Sequence, residues 1–412
     1  MRDILAPEAD RWRRLVSTFA GLVEGAAYQF VMTPLMEDAE VFARVGEATD
    51  VVQKEMYRFT DNGGRDLALR PEFTASVCRA FVEQRPPTPW KVWMAGSNFR
   101  YERPQRGRFR QFDQVDIEVL GSDDPYVDVE VIALGWRFLR VLGLRRVELL
   151  LNSLGEVAER AHYVDALSEY FGAHADTLSE ASRQTLARNP LRVLDSKRPG
   201  DAELIAAAPT IAEFYGPRSA AHFDTVRAGL DQLAIPYRVA PGLVRGLDYY
   251  VRTAFEFAGD TLDSAQNALG GGGRYDGLVE SLGGPPTPGI GFALGVDRIL
   301  IACDDEGVFA PTEPELDAYV IDTTGGAEAL AITEELRQAG LRAGRAFDGR
   351  SMKAQMKSAD RSGAAFAVIV GTSELDAGQA VIRPLRRDER SQSVVARLDL
   401  VSSLTTAIES ES

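Results

Sequence analysis

Residues Phe99 to Glu118, FRYERPQRGRFRQFDQVDIE, place five arginines (Arg100, Arg103, Arg106, Arg108, Arg110) in a chain of net charge -15. Strong β-formers lie on either side, Val92 to Phe99 and Phe109 to Leu120, and the polar Pro/Gly segment between them breaks both strand and helix. The stretch is therefore expected to fold as two antiparallel strands joined by a long loop. Alternation along the second strand puts Arg108, Arg110, Phe112, Gln114, Asp116 and Glu118 on one face, and Phe109, Val115, Ile117 and Val119 on the other. The second face is core. The first is either a solvated sheet face or a surface that holds a charged ligand against a flat ring.

The rest of the chain narrows the function classes. Its 412 residues allow two or three domains with well-buried cores. No run of eighteen apolar residues and no signal-peptide pattern occurs, which leads us to expect a cytoplasmic protein with no membrane partner. Cys78 and Cys303 have no ligand-spaced neighbours, and His162, His174 and His222 are scattered, so neither a disulfide framework nor a zinc site is expected. Overall acidity disfavours nonspecific nucleic-acid binding, although it leaves room for contacts made by local basic patches.

In chain order, helical spacing covers residues 8–25, and Tyr28 to Leu35 reads as a strand whose Pro34 places it at an edge or interface. A hairpin turn at Asp61 to Gly64 leads to a strand from Leu67 to Arg70. A helix follows Pro71, with Glu72 and Thr74 in its first turn, where simple capping would account for both. A long helix (Asp128 to Leu142) and a strand (Val147 to Leu151) precede an Ala-rich, charged stretch at about 160–236 that reads as an inserted helical module. Arg245 sits on a Gly-flanked loop before a Tyr-rich strand, and Gly270 to Gly273 read as a hairpin turn or loop. The chain has no G-x-x-x-x-G-K-[ST] pattern, which excludes a P-loop. GIGFALGVDR runs from a small-residue strand into a helix with Arg298 in its first turn, a place that can accept a phosphate. After a Pro-rich linker, strands and amphipathic helices alternate, as in a small α/β domain with a partly parallel sheet.

Taken in this order, the motifs resemble those of the class II aminoacyl-tRNA synthetases and, within them, the histidine–tRNA ligases. Pro34 with TDVVQKEMYRF is similar to the family's motif 1, FRYERPQRGRFRQF to motif 2 and GIGFALGVDR to motif 3. LRPEFT, LVRGLDYYVRTAFEF and GGRYDGL resemble segments peculiar to the histidine enzymes, and the C-terminal module is similar to their anticodon-binding domain. The resemblance implies an α+β fold: a catalytic domain over 1–313, built on an antiparallel sheet flanked by helices and carrying the insertion, then an α/β anticodon-binding domain over 314–412. It also implies a homodimer that joins L-histidine to tRNA(His), with ATP as substrate, Mg2+ accompanying it, and a histidyl-adenylate between the two steps. Arg100 and Arg245 match the arginines around the α-phosphate, while Arg108 and Arg298 match those on the outer phosphate. Glu102 lies where adenine is read and Phe112 where its ring stacks. Glu72, Thr74 and Gln114 match positions near the substrate's amino group, and Glu118, Tyr250 and Tyr275, with Tyr249 adjacent, match those around its imidazole. Arg103 and Gln105 lie where the family touches the acceptor end of its tRNA, while Arg106 and Arg110 carry no implied role.

The N-terminal segment MRDILAPEADRW departs from the family, which usually has an additional strand and an Arg-Gly pair there. The residues before GGRYDGL also differ from the Cys-containing form of many bacterial members. A histidine-sensing regulatory subunit of ATP phosphoribosyltransferase is the alternative. Such subunits typically lack the anticodon domain and erode the arginine set, whereas this chain keeps both.

Overall fold

The structure is a computed structural model that describes residues 1–44, 51–194, 196, 198–243, 249–259, 267–311, 316–386 and 392–410. Contacts divide the chain into two units, Met1–Ala310 and Pro311–Ser412.

The first unit opens with α1 (Glu8–Glu24), then β1 (Gln29–Phe30), β2 (Met36–Asp38), α2 (Ala39–Ala43), β3 (Arg58–Thr60) and β4 (Asp66–Leu69). There follow α3 (Thr74–Gln84), β5 (Trp90–Phe99), β6 (Gln111–Leu120), α4 (Pro125–Val141) and β7 (Val147–Ser153). Helices α5 (Val157–Ala173), α6 (Glu180–Leu186), α7 (Ala202–Ala206) and α8 (Pro217–Gln232) come next. The unit ends with β8 (Arg238–Val239), β9 (Val251–Gly259), β10 (Ala268–Arg274), α9 (Leu278–Ser281), β11 (Gly289–Gly295) and α10 (Val296–Glu306).

Its main sheet has the order β1-β5-β6-β11-β10-β9-β7-β8. The outermost pairs, β1 with β5 and β7 with β8, are parallel, and every pair between them is antiparallel. One face is closed by α1, α4 and α10. There Leu15, Phe19 and Val23 of α1 meet Phe138 of α4 and Ile117 and Val115 of β6 in one buried cluster, with the Phe19 and Phe138 rings edge to face at 5.0 Å. Fully burying a side chain of this size contributes about 1.5–3 kcal/mol, so the alternation of β6 is enforced by its core face and sends Gln114, Asp116 and Glu118 to the opposite face.

Four sequence expectations change. The strand at Tyr28 to Leu35 is only Gln29–Phe30, and Pro34 lies outside it; its carbonyl and that of Thr33 turn toward the Arg70 guanidinium, at 3.5 and 2.8 Å. Gly270 to Gly273 form the middle of β10 instead of a turn. Side chains are excluded there because a Cβ on Gly272 would lie 1.9 Å from the Gly291 carbonyl oxygen and one on Gly270 2.2 Å from that of Ala293. Strand β6 starts at Gln111, so the alternation does not reach Phe109, which lines the cleft described below instead of the core. Finally, the helical stretch at 160–236 is not uniform. Tyr163, Leu167, Phe171, Val193 and Ile211 make a small core of their own, whereas Phe223, Val226 and Leu230 of α8 join the main core, with Gly229 closely approaching Val129 of α4.

The second unit contains β12 (Ala318–Asp322), α11 (Ala327–Gln338), β13 (Ala343–Arg345), α12 (Met352–Arg361), β14 (Phe366–Val370), α13 (Thr372–Asp376), β15 (Gln379–Pro384), β16 (Ser393–Ala396) and α14 (Leu400–Glu409). Its sheet runs β13-β12-β14-β15-β16, parallel among the first three strands and antiparallel beyond, as the alternating pattern predicts. No helix among the described residues is long and apolar enough to cross a membrane.

Candidate active site

The face of the main sheet away from α4 forms the floor of a cleft of about 340 Å³. Strand β6 supplies Phe112, Gln114, Asp116 and Glu118 by alternation, and the neighbouring strands contribute Gly270, Gly271, Gly291 and Gly295, whose missing side chains leave the space open. Gly291 faces Glu118 in register, and a Cβ there would lie 1.8 Å from the Glu118 Oε2.

At one end the groups are polar and buried. Thr74 Oγ1 donates to Glu118 Oε1 at 2.5 Å, and the Tyr275 hydroxyl donates to Glu118 Oε2. Burial pushes the Glu118 carboxyl up to about 8, against the opposing effect of those two donors. The same burial, followed by the Glu118 charge, holds Asp116 well above the usual carboxylate range. Tyr249 and Tyr275, with ring centroids 5.7 Å apart, are also raised by burial, and the Tyr250 ring packs tilted against Tyr249, centroids 4.6 Å apart. Glu72 precedes α3 instead of lying in its first turn, and its carboxylate accepts the backbone N–H groups of Thr74 (2.7 Å) and Ala75 (2.9 Å). Glu72 is thus both the helix cap and part of the cleft wall, with burial raising its carboxyl. Gln114 is held from behind by Asn98, whose Nδ2 donates to its Oε1 at 2.6 Å.

The other end is cationic. Arg100 anchors its Nε on the Pro71 carbonyl at 3.0 Å and lies 5.3 Å from the centre of the Phe112 ring. Arg108 pairs with Glu102 at 2.9 Å. Arg298, in the first turn of α10, donates to the carbonyls of Gly107 (3.2 Å) and Ala268 (2.6 Å); burial and then the nearby Arg108 charge depress it. Arg100 and Arg298 are thus fixed by backbone carbonyls in the cleft wall, where a planar fork of donors suits a phosphoryl group.

Of the residues singled out from sequence, Glu72, Thr74, Arg100, Glu102, Arg108, Phe112, Gln114, Glu118, Tyr249, Tyr250, Tyr275 and Arg298 line this one cleft. Arg103 and Gln105 lie outside it, exposed on the loop, where Gln105 and Arg108 bridge across a tight turn with Gly107 at φ +72°. Arg245 lies outside the described residues. Arg106 ion-pairs with Asp305 at 2.8 Å, and Arg110 covers the Tyr101 ring at 4.0 Å. Sequence reasoning missed Asp297 and Phe109, which Arg2 ties into the wall by an ion pair (2.9 Å) and a cation–π contact (4.9 Å). Contacts this far apart in the chain leave no periodic trace. Asp116 is different, since the alternation already put it on this face.

Comparison with known proteins assigns the architecture. Residues 1–299 match the family described as Histidyl-tRNA synthetase and residues 317–406 the Anticodon binding domain. The Histidine–tRNA ligase of Halothermothrix orenii is 45% identical over 402 residues, covering 96% of each chain. That of Geobacillus kaustophilus is 44% identical over 405 residues, covering 96% of this chain and 95% of the relative. The crystal structure of apo S. aureus histidyl-tRNA synthetase superposes with a TM-score of 0.82 at 34% identity, covering 98% of each chain. The mainly antiparallel sheet with its cleft is therefore the catalytic unit of a class II aminoacyl-tRNA synthetase, followed by an α/β anticodon-binding unit. Agreement along nearly the whole length makes the assignment narrower: the chain belongs to the histidyl-tRNA synthetase family.

Proposed function

We propose that this enzyme joins L-histidine to tRNA(His) in two steps within the cleft. A carboxylate oxygen of histidine attacks the α-phosphorus of ATP, the bond to the bridging oxygen breaks, and pyrophosphate leaves. The terminal ribose hydroxyl of the tRNA then attacks the carbonyl carbon of histidyl-adenylate, loses its proton and displaces AMP. The first nucleophile is already an anion, so alignment and neutralisation of phosphoryl charge carry the step. Arg100 is proposed for the α-phosphate and Arg108 and Arg298 for the outer phosphates, with Arg245 as the second α-phosphate arginine on the strength of its motif alone. Mg2+ is proposed to accompany ATP as part of the substrate, neutralising phosphate charge beside the arginines.

The observation that carries the amino-acid assignment is the Thr74–Glu118–Tyr275 group at the buried end. Each Glu118 oxygen keeps a lone pair for an imidazole N–H, and the Tyr249 and Tyr275 rings wall the space beside it. An apolar side chain placed there would leave these groups unpaired, the basis of strong discrimination. Glu72 and Gln114 are proposed for the amino group, Glu102 and Phe112 for adenine, and Arg103 and Gln105 for the acceptor end of the tRNA. The test is exchange of labelled pyrophosphate into ATP with each of the twenty amino acids. Exchange with histidine alone supports the ligase, and histidine binding without exchange supports a sensor.

The enzyme is further proposed to act in the cytoplasm as a homodimer. Edge strand β1 and the chain after it expose Phe30 (50%), Met32 (84%), Leu35 (50%) and Met36 (53%), an apolar strip suited to a second copy. Sedimentation showing only monomers at micromolar concentration would exclude that assembly.

A further inference from the structure

Beside the polar end of the cleft lies a second set of buried charges that the reaction proposed above does not use. At its centre is Arg252, only 3% exposed and held at φ +49°. Gly273 pairs with Ala254 and Arg274 with Val251, so β9 carries two residues, Arg252 and Thr253, that no residue of β10 faces. A bulge bends its strand and re-aims the chain beside it. Here the chain just ahead of the bulge is Tyr249–Tyr250, which enters the cleft.

Left-handed backbone at a residue with a long side chain persists only where its surroundings hold it. Arg252 is held on every side. Its N–H donates to the Gly155 carbonyl (2.8 Å), and its own carbonyl accepts from the Leu154 N–H (2.7 Å). Its guanidinium donates to Asp123 at 2.5 Å and to Asp276, and lies 3.3 Å from His222 Nδ1. A guanidinium has only donors, so Nδ1 accepts and Nε2 carries the proton it donates to Asp128, 2.8 Å away. Asp128 also accepts from Thr253 Oγ1 at 2.5 Å and pairs with the fully buried Arg274, the residue immediately before Tyr275.

We propose that Arg252 is a positioning residue of the amino-acid pocket: its clamp to Asp123, Asp276 and the His222–Asp128 pair holds the left-handed kink that turns Tyr249 and Tyr250 into the cleft. The Arg274–Asp128 pair fixes the neighbouring chain that carries Tyr275. This inference rests on the reading of the cleft as the histidine site.

The test compares Arg252→Ala, Arg252→Gly and Asp276→Asn in histidine-dependent pyrophosphate exchange, with KM for histidine and for ATP measured separately and thermal unfolding recorded. Alanine removes the clamp and keeps the backbone penalty, whereas glycine removes the clamp and the penalty together. Arg252→Ala should raise the histidine KM tenfold or more and leave the ATP KM within twofold. Arg252→Gly should return to within about threefold of the parent, because the kink then forms unaided. Asp276→Asn, which keeps Arg252 and its remaining partners, should raise the histidine KM three- to fivefold and keeps the test open if the alanine variant does not fold. An unchanged ratio of histidine to ATP KM in folded Arg252→Ala and Asp276→Asn overturns the proposal, as does a glycine variant no better than alanine. Absence of histidine-dependent exchange in the parent enzyme would instead overturn the reading of the cleft, separately from the role of Arg252.

Discussion

Replacing Glu118 by Gln removes a carboxylate that the fold pays to keep dry, and two opposite consequences follow. Burial lifts the Glu118 carboxyl from its ordinary 4.5 to about 8. Because the folded value lies above the unfolded one, the native state retains a proton that the unfolded chain has already released between those two pH values. Stability is therefore fully present below pH 4.5 and is lost as pH rises through about 8. The interval is roughly 3.5 units at about 1.4 kcal/mol each, so the loss has an upper bound of about 5 kcal/mol. Glutamine has no proton to lose. Its amide does turn one of the two acceptors facing Thr74 and Tyr275 into a donor, at a cost of about 1 kcal/mol. The ligand-free variant should thus unfold at or slightly below the parent temperature at pH 5 and clearly above it at pH 8.5, so that the two curves cross. Relief of the Glu118 charge on Asp116 acts in the same direction. Histidine binding by calorimetry at pH 8.5, where the parent carboxyl is charged, should weaken roughly 10- to 100-fold, the value of a charge-assisted hydrogen bond, while ATP binding stays within twofold. A variant displaced from the parent by the same amount at every pH would refute the raised carboxyl, and undiminished histidine affinity would refute its place in the pocket.

Three further outcomes test other parts of the cleft. Gly291→Ala puts a methyl against Glu118 Oε2 and within 2.4 Å of the Ile117 carbonyl, so it should cost about 1–3 kcal/mol of stability and weaken histidine binding, read by thermal unfolding and titration. Phe112→Ala removes the ring beside Arg100 and should raise the ATP KM roughly 5- to 10-fold, with the histidine dissociation constant unchanged. Arg103→Ala combined with Gln105→Ala, both exposed on the loop, should leave pyrophosphate exchange within twofold and slow charging of tRNA several-fold; equal effects on the two reactions would remove the loop from tRNA contact.

How much of this was legible depended on the range of the signal. The alternation in FDQVDIEVL places Gln114, Asp116 and Glu118 on one face, and the core packing of Val115, Ile117 and Val119 holds that register. The helix spans of α1 and α4 and the alternating C-terminal elements were equally plain, because apolar period and caps are local. Glu72 shows where local reasoning stops: its spacing from Thr74 announced a cap, and the cap is there, but nothing local says that the capped helix end faces Glu118.

The sequence by itself determined the order and type of most elements, the division into a large and a small unit, and, through its motifs, the family. Tertiary structure alone decided that four successive glycines lie inside a sheet, because the carbonyls that crowd Gly270 and Gly272 belong to β11 and the one that crowds Gly273 belongs to Thr253 of β9, all distant in the chain. It also decided that Phe109 faces the cleft and that Arg252 is kinked over Asp123 and His222. The Glu118 group joins residues separated by 44 and 157 positions, and its chemistry arises only when strand register brings them together away from water.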